Sequence, residues 1–207
     1  MKTLILVRHA TAVRRSPEKD DFGRSLKKTG RKEAKEMALR LKNEKARPKL
    51  FVSSPANRAF ETAAIFAKVL GRSAKKIDKR EELYDDLTPD GFLELIRGLD
   101  DQHDSSIVFG HDPSFTDFAQ FLVPGFGDEM PKAGVLGVDF DAPAWKDVSP
   151  ESARMAYFFR PGDITAAAPR RKQKRKEIEA RIEQAFREIV EELGIAEDGE
   201  LARGLEK

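Results

Sequence analysis

The 207-residue chain contains no cysteine, which excludes disulfides, thiolate nucleophiles and cysteine-ligated zinc. Histidine is nearly as scarce: three occur in the whole chain, so any imidazole chemistry rests on His9, His103 or His111. A surplus of one charge is also missing, since 38 basic residues stand against 36 acidic ones, and net charge therefore selects no partner. No apolar run approaches the ~20 residues of a membrane span, and the first residues read as strand rather than as a signal peptide. No membrane association is expected, and the expected compartment is the cytoplasm. Tryptophan occurs once, and Trp145, close to Pro143, reads as a packing residue. What is there is a 40% hydrophobic chain, long enough for one domain with a full core and an appendage.

Three segments carry chemistry. Leu4-Ile5-Leu6-Val7 is an apolar strand-like run that ends in Arg8-His9. Leu50-Phe51-Val52-Ser53 runs into Ser54-Pro55-Ala56-Asn57-Arg58-Ala59, and Ile107-Val108-Phe109 into Gly110-His111-Asp112-Pro113. Each run is followed by a helical pattern, so three strand ends of an α/β sheet can supply one site. Arg8 and Arg58 offer planar forks that match phosphate oxygens. A neutral imidazole at His9 can attack phosphorus, and His111 can donate to the phosphoryl oxygens, in protonated form once an anionic substrate is bound. His103, in the polar stretch Asp100-Asp101-Gln102-His103-Asp104, reads as a solvated loop residue.

These motifs, in this order, resemble the histidine phosphatase superfamily, the phosphoglycerate-mutase-like fold. The compact body and the ending Phe158-Phe159-Arg160-Pro161-Gly162 are most similar to the SixA-type phosphohistidine phosphatases. The resemblance spans residues 1–163. It implies a three-layer α/β sandwich with a mostly parallel central sheet flanked by helices, and a metal-independent hydrolase that needs no cofactor. It also implies that His9 becomes phosphorylated, with Arg8, Arg58 and His111 holding the phosphoryl group. The general acid stays open among Asp112, Glu82 and Asp85. Gly-His-Asp-Pro stands where the SixA-type motif usually has Gly-His-Asn-Pro. Asp112 also reads as a helix N-cap before Pro113, and Glu82 and Asp85 also read as ordinary surface charge. The expected substrate is a phosphoprotein or a small phosphorylated molecule, with phosphohistidine foremost. The other readings are a small-metabolite phosphatase of the same fold and a non-catalytic phosphate-binding module.

Periodicity gives the order of elements. Strands are expected at 3–8, 50–53, 74–77, 106–109, 135–140 and 155–159, the last two hairpin-like. Helices are expected from about Thr29, from Ala56 to Leu70, after Thr88-Pro89, and from Pro113 to Leu122. The loop Val123–Gly134 should line the pocket. The loop Val13–Arg24 reads as a solvated surface segment, with a mobile basic lip as the functional alternative. Beyond the body, 164–176 reads as a linker in which Arg170, Arg171, Lys172, Lys174, Arg175 and Lys176 form a basic cluster. Residues 177–207 read as an amphipathic helix and tail. The segment 170–193 suits an acidic partner or self-association, and nucleic acid is not the expected partner.

Overall fold

A computed structural model describes residues 1–15 and 20–163. The linker and helix expected over 164–207 lie outside the described residues. Six strands form one sheet in the order β3-β2-β4-β1-β5-β6: β1 (Lys2–Arg8), β2 (Leu50–Ser53), β3 (Asp78–Lys79), β4 (Ser105–Gly110), β5 (Val135–Phe140) and β6 (Ala153–Phe159). Strands β1, β2, β3 and β4 run parallel. The last two strands join antiparallel, β5 against β1 and β6 against β5.

The strands are apolar on both faces because helices cover both. Leu4, Leu6, Val52 and Val108 point into one cluster with Phe92, Ile96, Phe115 and Phe118 of α3 (Pro89–Arg97) and α4 (Ser114–Leu122). On the opposite face Phe109 stacks on Phe51 and meets Phe66 of α2 (Asn57–Val69) edge-on. The helix α1 (Lys28–Asn43) packs beside α2. This is the expected three-layer sandwich.

Two local expectations are corrected. Residues 74–76 are a one-turn 3-10 helix, not a strand, because the Ser73 hydroxyl accepts from the Lys75 N–H and closes the turn. The edge strand lies just beyond, where Asp78 and Lys79 pair with Val52 and Ser53. Helix α4 begins at Ser114 with Pro113 at the cap position, so Asp112 does not cap it. Trp145 is fully buried, its indole N–H donating to the His103 carbonyl at 2.7 Å. His103 is half-buried, with its backbone carbonyl engaged by that indole. Among the described residues no helix is long and apolar enough to cross a membrane.

Candidate active site

The C-terminal ends of β1, β2 and β4 meet where backbone bonds pin them together. The His9 N–H donates to the Gly110 carbonyl at 2.9 Å and the Ser54 N–H to the Phe109 carbonyl at 2.9 Å. Gly110 lies so close to Phe115 that a Cβ there would fall 2.4 Å from the ring. A side chain would push α4 off the strand end. The Ala10 N–H donates to the Thr62 hydroxyl, which itself donates to the Arg58 carbonyl at 2.7 Å. The first turn of α2 is thereby tied to the Arg8-His9 strand end.

His9 and His111 face each other with ring centroids 5.1 Å apart. Nδ1 of His9 lies 2.8 Å from the Ala10 carbonyl. A carbonyl only accepts, so the hydrogen sits on Nδ1 and Nε2 keeps its lone pair. His9 is 8% exposed. Burial lowers its pKa to about 4 against the partial opposition of that backbone bond, with Arg58, Arg8 and Arg24 adding to the depression. Burial, then Arg58 and His9, push His111 down to about 3. That direction leaves the His111 ring neutral in the free protein; the protonated form expected from the sequence is that of the substrate-bound site.

The two arginines are held differently. Arg8 Nη1 donates to the Met130 carbonyl at 2.6 Å and lies 3.1 Å from Asp112 Oδ2. The Thr116 hydroxyl donates to Asp112 Oδ1 at 2.8 Å and accepts from the Met130 N–H at 3.0 Å, closing a ring of contacts. Arg58, 6% exposed, meets the Asp21 carbonyl at 2.7 Å and the Asp21 carboxylate at 3.0 Å. Arg24 joins that carboxylate at 2.9 Å. Burial raises the Asp21 pKa, but Arg58, Arg24 and Arg15 outweigh it and hold the carboxyl below its usual range. Residues 20–24 are therefore part of the site rather than a solvated loop, a role that sequence reasoning missed for Asp21 and Arg24. Their one sequence signal is the i,i+3 placement of opposite charges.

A cleft of about 490 Å³ opens beside these groups, with Arg15, Asp21, Arg58, Tyr84, Asp85, Asp86, His111 and Asp112 in its walls. Tyr84 stands edge-on to His111 at 5.9 Å. Glu82 is not brought to this cleft. The 3-10 turn at 81–83 aims it into a separate hollow with Arg80, Leu87 and Glu94. Nor does the Val123–Gly134 loop line the cleft. It supports the site from behind, through Met130 on Arg8 and the Ala133 N–H on the His9 carbonyl. Among the described residues seven buried side-chain polar atoms lack a partner, and four of them belong to this site: Nε of Arg8, Arg24 and Arg58, and Nδ1 of His111.

Residues 4–86 match the family model of the histidine phosphatase superfamily (branch 1). No curated protein matches the sequence. Among solved structures, a protein described as a phosphohistidine phosphatase SixA of Agrobacterium tumefaciens is 23% identical with a TM-score of 0.66, covering 77% of this chain and 98% of that one. A protein histidine phosphatase SixA complexed with tungstate is 21% identical, TM-score 0.61, covering 78% and 99%. A mycobacterial glucosyl-3-phosphoglycerate phosphatase is 14% identical, TM-score 0.54, covering 75% and 97%. The chain thus shares the fold of these SixA structures, and the family match together with that fold supports a phosphatase.

Proposed function

We propose that the protein is a hydrolase that passes a phosphoryl group through His9 and acts on phosphohistidine-type substrates. The observation that carries this reading is the neutral His9 with its bare Nε2, surrounded by four buried, unpartnered polar atoms on three arginines and a second histidine. Binding alone needs the cations but not a bare nitrogen beside them.

In the proposed reaction, Nε2 donates its lone pair to phosphorus while the bond to the leaving atom breaks and takes its electron pair with it. The equatorial oxygens accept from Arg8, Arg24, Arg58 and His111, whose fixed donors favour the charge of the transition state. Water then attacks phosphorus, the N–P bond breaks, and phosphate and neutral His9 are released. The cations are guanidiniums, so no step calls for a metal. An alkoxide leaving group needs a proton, for which Asp112 lies in the cleft beside Arg8. An imidazole protonated on its other nitrogen leaves as a neutral molecule and needs less help.

The cleft mouth favours that second case. Asp85 and Asp86 line it, exposed and without an ion pair to any described residue, whereas Arg15 in the same wall is already turned to Asp21 at 3.9 Å. Their charge works against substrates with a second anionic group, such as a phosphorylated acid, and suits an uncharged or cationic leaving group.

The test is hydrolysis of p-nitrophenyl phosphate with and without a chelator, followed by quenching to trap acid-labile protein phosphate. Wild type is expected to turn over and to carry the label, and His9→Ala to do neither. Retained turnover in His9→Ala would mean direct attack by water and would overturn the covalent route. A panel containing a phosphohistidine-bearing carrier protein, a sugar phosphate and a phosphorylated carboxylic acid ranks the substrates.

A further inference from the structure

We propose that Ser54 is a positioning residue that holds His111 in its Nδ1–H tautomer, so that a neutral ring donates a hydrogen bond to the phosphoryl group. The inference rests on the phosphatase reading for its consequence, but the tautomer itself follows from hydrogen-bond accounting alone. Ser54 is 0% exposed, on the turn that leaves β2. Its Oγ accepts from the Ala56 N–H at 3.3 Å and lies 2.9 Å from His111 Nε2. A buried hydroxyl must place its hydrogen on an acceptor, and Nε2 is the acceptor it meets among the described residues. Nε2 then has no room for a hydrogen of its own, and a neutral ring carries its hydrogen on Nδ1.

That Nδ1 is buried without a protein partner, as are Nε of Arg8, Arg24 and Arg58. His9 and His111 thus share one tautomer and use it in opposite senses. At His9 the N–H is consumed by the Ala10 carbonyl and the bare nitrogen is left for phosphorus. At His111 the bare nitrogen is consumed by Ser54 and the N–H is left for a phosphoryl oxygen. A neutral donor also spares the site a charge among Arg58 of α2, Arg24 of the 20–24 loop and His9 after β1, with Asp21 and Tyr84 completing the surroundings of the ring.

The test reads the ring directly. Nitrogen-detected NMR of the ligand-free full chain at pH 7, with His111 assigned by loss of its signals in His111→Gln, should show a protonated Nδ1 and a bare Nε2. A hydrogen on Nε2 in wild type would overturn the proposal outright. In Ser54→Ala the ring is expected to lose its single tautomer. Turnover of p-nitrophenyl phosphate should then fall about tenfold or more, within the ~10²–10³ that removal of a whole oxyanion donor costs. Ser54→Thr, which keeps the hydroxyl, should keep the Nδ1–H signal. An unchanged tautomer in Ser54→Ala would refute the role of Ser54. Failure of wild type to hydrolyse any phosphate would sink the phosphatase reading while the NMR result still decides the tautomer.

Discussion

Asp112 and Asp21 each place a carboxylate on an arginine of the site, yet their surroundings differ. Asp112 meets one guanidinium, Arg8, and a hydroxyl, Thr116, whose oxygen is in turn fixed by the Met130 N–H. Asp21 sits among three guanidiniums, Arg58, Arg24 and Arg15. A carboxyl surrounded by three cations stays ionised and cannot serve as a proton donor. One that shares a single cation and accepts from a hydroxyl stands where a leaving group can reach it. In the proposed reaction the two flanks divide the work: the Arg8 side would hand a proton to the leaving group, and the Arg58 side would exchange one anion for another.

The comparison can be broken by removing its arginines. Arg8→Ala and Arg58→Ala are each expected to lower kcat for p-nitrophenyl phosphate by roughly 10²–10³. A loss confined to one of the two would show that only one flank meets the phosphoryl group. Next in size, Asp112→Asn should slow an alkyl phosphate by on the order of 10²-fold, and slow phosphohistidine or an aryl phosphate far less, because the poorer leaving group depends more on a donor. Equal losses on all three would reduce Asp112 to a brace for Arg8 and turn attention to Asp85.

Smaller effects sharpen the contrast. Asp21→Asn removes the charge that competes with an incoming phosphoryl group for Arg58. Inhibition by inorganic phosphate should tighten by a few-fold, about 1 kcal/mol, as expected for a partly exposed ion pair. Unchanged inhibition would show that Asp21 moves aside without cost. Thr116→Val should cost about 1 kcal/mol of stability for the lost hydroxyl bonds, read from denaturant midpoints, and should weaken Asp112 but not Arg58.

Acid titration tests the neutrality of both imidazoles. The folded values of about 4 for His9 and about 3 for His111 lie below the ordinary 6.5. Below that ordinary value the unfolded chain binds protons that the folded chain refuses. Stability should then fall as pH drops from about 6.5 toward 3, by roughly 1.4 kcal/mol per pH unit for each histidine titrating in that window. Above about 6.5 this contribution is fully present. A flat profile for these two rings, judged against His9→Gln and His111→Gln, would refute their burial as neutral groups.

Much of this was legible before any coordinates. Apolar runs that stop at Arg8-His9, at Ser54 and at Gly110-His111 announce strand ends, because a strand buried on both faces has no polar residue until it leaves the sheet. The sequence is silent where a role depends on a partner far along the chain. Nothing local to Asp21 says that Arg58 will donate to its carboxylate, and nothing local to Ser54 says that His111 will receive its hydrogen. Glu82 and Asp85 show the same limit at short range. Three residues apart and alike in chemistry, they are sent by one 3-10 turn into different hollows. The edge strand lies beyond its expected place for a related reason, since the Ser73 hydroxyl closes a turn over Ala74–Lys76, whose residues have little preference for extension.

Strand β1 is hydrogen-bonded to β4 along one side and to β5 along the other, whereas β3 and β6 close the sheet as edges. Edges open locally at little cost, but a strand bonded on both sides is released only when the sheet comes apart. The backbone amides of Ile5, Leu6 and Val7 should exchange with deuterated solvent at the rate of whole-domain unfolding, and those of β6 much faster. Catalytic capacity should accordingly survive warming that already frays the margins, and vanish in one step with the melting of the domain.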